Sequence, residues 1–108
     1  MSWDVCLRID TGYHTREVTE SRNYTSNVWE MFDKAGLENG IKGLDGMSAK
    51  NAALVLDPVI RYMETHPDEM QQFNAQNGWG DYEGALEFVK GIFFDCLENP
   101  KCTVYVWY

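Results

Sequence analysis

Carboxylates are the side chains best placed to do chemistry in this chain. Glu83 and Glu87 stand one helical turn apart, and Asp68 and Glu69 are adjacent in the segment before them. Paired carboxylates can exchange a proton as acid and base, or hold a divalent cation. Each use needs a further group, and no Lys, His or third ligand stands at a telling spacing. Cys6, Cys96 and Cys102 form no C-x-x-C, and neither His14 nor His66 lies at ligand spacing. Neither histidine has a nearby Ser or Cys in the context of a nucleophile. The glycine-rich stretch from Gly36 to Gly46 lacks the residue order of a phosphate loop. The expectation is no catalytic residue, no metal site and no cofactor.

What the acids offer instead is a field. The 108 residues hold seventeen acidic and nine basic side chains, a net charge of -8. From Asp57 to Glu98 there are nine acids against Arg61 and Lys90 alone. Such a surface repels nucleic acid and membrane and attracts basic protein surfaces. Carboxylates spaced along a helix can stand in for duplex phosphates and engage a partner's Arg and Lys. Asp68, Glu69, Asp81, Glu83 and Glu87 are the candidate partner-binding carboxylates. The bland reading is a solvated face that keeps a small protein soluble. Trp79, between Gly78 and Gly80, is either an exposed anchor for a partner or a plug in the core.

These residues need elements to hold them. Trp3, Val5, Leu7 and Ile9 alternate with polar neighbours, which predicts a strand over residues 2–10. After a turn at residues 11–14, a polar edge strand between Arg16 and Ser21 closes a hairpin. Asn27, with Glu30 three residues on, reads as a capping box, and Ser26 competes for the same role. The short helix that follows ends at Gly36, and a loop pinned by Ile41 and Leu44 leads to Ser48. There a long helix begins, with Ala49, Ala52, Ala53, Leu56, Val59, Ile60 and Met63 on one face. Pro58 bends or breaks it. One or two turns follow from Asp68 to Phe73, then a loop around Trp79. Asp81 caps the last helix, whose buried stripe is Ala85, Leu86, Val89, Ile92, Phe93, Cys96 and Leu97. A final strand runs from Cys102 to Trp107.

The order β-β-α-α-α-β predicts a single α+β domain over 1-108. In it a small antiparallel sheet of about three strands is covered on one face by helices. The first and last strands are its natural neighbours. If the Tyr105–Tyr108 end were a bare edge, it would invite strand addition or a homodimer. The three cysteines, odd in number and each in an apolar pattern, read as buried thiols. No apolar run is long enough to span a bilayer, and Met1-Ser2-Trp3-Asp4 lacks a signal-peptide layout. The expectation is a cytoplasmic protein without membrane contact.

Three short motifs carry a resemblance. Trp3-Asp4-Val5 opens the chain, Asn23-Tyr24-Thr25 precedes the first helix, and Leu44-Asp45-Gly46-Met47-Ser48-Ala49 leads into the long one. With Asn77-Gly78-Trp79-Gly80, these make the chain resemble small proteins encoded by bacteriophages and prophages. Its Tyr105–Tyr108 strand departs from that pattern. The resemblance implies a phage protein in the host cytoplasm that inhibits a host defence complex, in the manner of an anti-CRISPR. The partner would be a nucleic-acid-binding complex whose basic groove the acids occupy.

Overall fold

The computed structural model describes residues 1–108 as an α+β fold with one antiparallel sheet. Four strands form the sheet: β1 (Ser2–Asp10), β2 (Thr15–Glu17), β3 (Arg22–Thr25) and β4 (Thr103–Trp107). The helices are α1 (Trp29–Lys34), α2 (Ala49–Thr65), α3 (Pro67–Gln71) and α4 (Tyr82–Glu98). Short 3-10 turns occupy Ser26–Val28 and Ile41–Leu44.

β1 is the centre of the sheet, because all three other strands pair with it. β4 takes one edge, with Asp4 opposite Trp107 and Arg8 opposite Thr103. β3 and β2 share the other edge end to end, facing Ser2–Val5 and Arg8–Asp10 respectively. The single polar strand expected from Arg16 to Ser21 is thus two short strands, and most of that span is the break between them. The break is held locally. Val18 N–H donates to the Leu7 carbonyl at 2.9 Å, and the Thr19 hydroxyl accepts the Leu7 N–H at 2.9 Å. A side chain replaces one backbone rung, so the ladder survives without a continuous strand.

The alternation in β1 sorts its side chains as expected. Trp3, Val5 and Leu7 are buried under the helices together with Val104. The opposite face carries Asp4, Cys6 and Arg8 from β1, and their partners Tyr105 and Trp107 from β4. Tyr105 stacks on Trp107 with centroids 6.1 Å apart, and the Arg8 guanidinium lies 5.6 Å from the Tyr105 ring centre.

The outer edge of β4 is occupied. Gly46 N–H donates to the Val104 carbonyl, Val104 N–H to Met47, and Ala49 N–H to Cys102, each at 2.8 Å. Val106 N–H finishes the edge on the Asp45 carboxylate at 2.9 Å. The strand end is therefore not a bare ladder.

The caps of the two long helices fall where the sequence put them. The Ser48 hydroxyl accepts Asn51 N–H, and the Asp81 carboxylate accepts Gly84 N–H. α2 runs unbroken through Pro58. The carbonyl that loses its partner is that of Leu54, which sits on the solvent side, so water can satisfy it. The first helix differs from expectation. Thr25 caps the 3-10 turn by accepting Asn27 N–H at 3.3 Å, and α1 itself begins at Trp29 with no side-chain cap. Asn27 lies inside that turn and not ahead of it, and its side-chain amide donates to the Trp79 carbonyl at 3.2 Å.

α4 buries Ala85, Val89, Ile92 and Cys96 of its expected stripe, keeps Leu86 and Phe93 half-buried, and adds Tyr82 and Phe88 to the buried face. Phe88 stacks with Trp3 at 6.2 Å and with Tyr24 at 5.7 Å. The buried positions are Tyr82, Ala85, Phe88, Val89, Ile92 and Cys96, while Leu97 points to solvent. Two glycines permit the close approach. A Cβ at Gly84 would lie 2.8 Å from Cε1 and Cζ of Tyr24, and one at Gly91 would lie 2.7 Å from Cζ of Arg22. Arg22 then reaches Asp95 through two hydrogen bonds, of 2.6 and 3.0 Å.

Gly84→Ala gains about 1 kcal/mol of helix propensity but overpacks against a stiff ring, a cost of about 1–3 kcal/mol. A net loss of stability is expected in urea unfolding. Gly91→Ala meets only the end of a flexible, partly exposed arginine. It should be near neutral in the same measurement, and equal losses in the two variants would show that Tyr24 does not set the helix distance.

Candidate partner-binding surface

The nine acids between Asp57 and Glu98 do not form one equivalent set. Asp57 pairs with Arg61 at 3.1 Å, Glu64 with Lys90 at 3.2 Å, and Asp95 with Arg22. The first two pairs are well exposed and contribute little to stability. Glu69 accepts the Tyr62 hydroxyl at 2.6 Å, and that bond raises the Tyr62 pKa. Asp81 caps α4, and its backbone N–H donates to the Tyr24 hydroxyl at 2.9 Å. Asp68, Glu83, Glu87 and Glu98 make no hydrogen bond or ion pair with another side chain, and all four are exposed. Asp68 and Glu83 lie in the first turns of α3 and α4, where the helix dipole favours a negative charge.

Two of the candidate carboxylates therefore have local duties, Glu69 on Tyr62 and Asp81 at the helix start. Glu83 and Glu87 stay together on the outer face of α4, beside a shallow groove that also includes Arg22, Leu86, Lys90 and Phe94. Asp68 belongs to α3, and no hydrogen bond joins it to the α4 pair.

Trp79 is 73% exposed, so it is not a plug in the core. The loop beneath it is tied down on several sides. Ala75 N–H donates to the Gly80 carbonyl at 2.9 Å, Trp79 N–H to the Asn77 side chain at 2.9 Å, and Tyr82 N–H to the Asn74 side chain at 2.8 Å. Gly80 has φ +118, and a Cβ there would lie 2.7 Å from Thr25 Cγ2 and 2.8 Å from Val28 Cγ1. The glycine thus serves close packing of the loop backbone on the 3-10 turn, while the indole stays outside.

Further apolar surface lies at this end of the molecule. Met1, Trp29, Asn27, Gln76, Asn77 and Tyr108 line an open depression of about 520 Å³. Tyr108 is covered on one side by the Lys42 ammonium, 4.4 Å from its ring centre. Trp29 is 57% exposed although its neighbour Val28 is fully buried, since adjacent helical residues point about 100° apart.

The remaining reactive groups are structural. All three cysteines are free and buried. Burial, with smaller contributions from Asp95 and Cys102, pushes the Cys96 thiol up to about 11. Both histidines are exposed, as expected. His66 stacks on Tyr62 at 4.0 Å, and its Nδ1 lies 2.9 Å from the Tyr62 carbonyl. No three His, Cys, Asp or Glu side chains come together in a metal-holding group. No helix is long and apolar enough to cross a membrane. No protein-family model, curated protein or solved structure matches the chain.

Trp79→Ala should change stability by no more than about 0.5 kcal/mol, as for other exposed sites, whereas Gly80→Ala should cost about 1–3 kcal/mol through strain and overlap. Urea midpoints for the two variants check this order. The folded state keeps the Cys96 proton beyond the ordinary thiol value of 9.0. Its contribution is therefore complete below pH 9, declines as pH rises, and is gone past about 11. Unfolding midpoints measured from pH 7 to 11 should fall above pH 9, and Cys96→Ala should shallow that fall.

Proposed function

We propose that this chain is a non-enzymatic, phage-type protein that binds another protein, with Trp79 as apolar anchor and Glu83 and Glu87 as charged flank. The observation that carries the reading is an indole held largely in solvent by a loop whose backbone is fixed. An anchor ordered before contact loses little entropy on binding, and large aromatic side chains dominate interface energies. The free carboxylates on the first two turns of α4 begin four residues beyond Trp79. With a net charge of -8, they favour a basic partner surface and speed encounter with it.

The partner class proposed is a host defence complex that binds nucleic acid in a basic groove, of the CRISPR effector kind. The resemblance to phage proteins and the acidic charge support it. Occupation of that groove by carboxylates would exclude the nucleic acid and inhibit the complex. The host cytoplasm is the compartment this requires. Asp68 is a secondary contact, whereas Glu69 and Asp81 act chiefly through the elements they hold.

Self-assembly by strand addition at β4 has less support, because Asp45–Ala49 already fill that edge and would have to leave.

The reading predicts that tagged wild-type protein recovers a nucleic-acid-binding complex from a bacterial lysate carrying defence systems. Recovery should fall as salt rises, since exposed charge pairs are screened. Trp79→Ala should weaken binding about tenfold or more, and Glu83→Lys with Glu87→Lys should abolish it. Unaltered recovery by these folded variants would reduce the acids to a solubility device and leave Trp79 no part in binding.

A further inference from the structure

The open depression beside the Trp79 loop, about 520 Å³, has the size of a small-molecule site. Ser26 lines it, and Ser26 is the only polar residue of the chain that is buried, at 8% exposed. Its backbone is engaged, the N–H donating to the Met1 carbonyl at 3.0 Å and the carbonyl accepting the Trp29 N–H. Its hydroxyl has no partner within the chain. Every fully enclosed side-chain N or O atom does have one, so this hydroxyl is the exception because it opens on to the depression. A buried polar group of this kind calls for a partner.

The other lining side chains are uncharged, and two of them are set in place by the Trp79 backbone. Asn27 gives its amide N–H to the Trp79 carbonyl at 3.2 Å, which fixes its Oδ1 as an acceptor. Asn77 does the reverse. Its Oδ1 accepts the Trp79 N–H at 2.9 Å, which fixes its Nδ2 as a donor. Gln76 adds a group of each kind. Trp29 and Tyr108 bring aromatic surface, at 57% and 55% exposed, and neither the indole N–H nor the phenol O–H has a partner in the chain.

We propose that this depression binds an uncharged sugar, with a C–H face of the ring on Trp29 or Tyr108 and its hydroxyls on Ser26, Asn27 and Asn77. The mixture of fixed donor and fixed acceptor chooses the occupant. A hydroxyl both donates and accepts, so neighbouring hydroxyls serve Asn27 and Asn77 together. A proline-rich segment also lies well on aromatic rings, but its prolines have no N–H for Asn27 Oδ1. A purely apolar ligand leaves all three groups covered and unpaired, at a cost for each. Acidic sugars are repelled by the net charge of -8, and no basic side chain lines the depression to receive them. Trp29 also borders a second depression of about 240 Å³, with Asp33, Asn39 and Lys42. An indole between two hollows suits adjacent units of a sugar chain.

The proposal does not rest on the partner reading, because the Trp79 side chain is not part of the lining. The test is a titration of the isotope-labelled full chain with neutral tetrasaccharides of glucose, mannose, galactose and N-acetylglucosamine, each to about 10 mM. The readout is the indole N–H signals of the 4 tryptophans. At least one sugar should move the Trp29 signal saturably, with a Kd of about 1 mM or tighter. Trp29→Ala should weaken binding about tenfold or more, and Ser26→Ala about threefold or more, with circular dichroism unchanged. Trp79→Ala and Trp107→Ala should leave it unaltered, and a sulfated heparin tetrasaccharide should not bind. Silence of the Trp29 signal toward all four neutral sugars would overturn the proposal, and a response to a proline-rich peptide or a nucleoside in their place would reassign the depression. Sugar binding that survives Trp29→Ala, or that Trp79→Ala removes, would overturn it by placing the site elsewhere. Failure of partner recovery with sugar binding intact would count against the partner reading alone.

Discussion

The seam between β3 and α4 is the contact on which the rest of the arrangement depends. Tyr24 and Arg22 leave the strand on its helix side and lie over Gly84 and Gly91, and at Gly84 a larger residue would push the stiff Tyr24 ring and the helix apart. The Tyr24 hydroxyl accepts the Asp81 N–H, so the same ring that spaces the helix also helps define where it starts. Phe88 is then drawn against Trp3 and Tyr24. From that start point the chain runs back through Gly80, packed on Thr25 and Val28, to the loop that presents Trp79. The exposure of Trp79 is thus a consequence of the seam, for a loop packed this closely beneath its backbone leaves the side chain only the outward direction.

The acidic excess looks different once each carboxylate has a neighbour. A run of nine acids in sequence suggests one continuous negative face. Folding disperses it, because α2, α3 and α4 point their charges in separate directions and Arg22 arrives from the distant β3 to meet Asp95. What remains is a few free carboxylates, at the start of α3, on the first two turns of α4 and at its last residue. They act locally, beside exposed aromatic surface, and not as a long polyanion. Burial of the aromatic partner would strengthen their attraction for a basic surface by excluding water from the contact.

The sheet and the helices also divide the protein's exposed edges. β4 would be its most adhesive strand, rich in aromatic and β-branched residues. The segment leading into α2 satisfies its outer hydrogen bonds, and the Ser48 cap at the end of that segment turns the chain into the helix. The β4 edge of the sheet is thereby protected from open-ended pairing. Part of the apolar surface left uncovered, at Leu54, Phe94 and Leu97, lies on helices, whose backbone bonds are internal.

Much of the fold was legible in the sequence. The α+β class, the alternation of β1, the caps Ser48 and Asp81, the turn at Gly36 and the final strand follow from local rules, since a cap or a period depends only on residues a few positions away. The buried state of the three cysteines followed from the apolar patterns around them. Tertiary structure alone decided the rest. Thr19 replaces a strand rung only because Leu7 lies opposite it, and Asn27 lies within the turn that Thr25 caps, with its amide on the distant Trp79 carbonyl. Leu97 lies outside the buried stripe, and Phe88 joins it, because Trp3 and Tyr24 stand where Phe88 can pack on them. In the same way, the free or paired state of each acid depends on which cation folding brings near. Local periodicity determines that a helix has an apolar face, but its rotation against the sheet is set by contacts made across some sixty residues of chain, such as Tyr24 with Gly84.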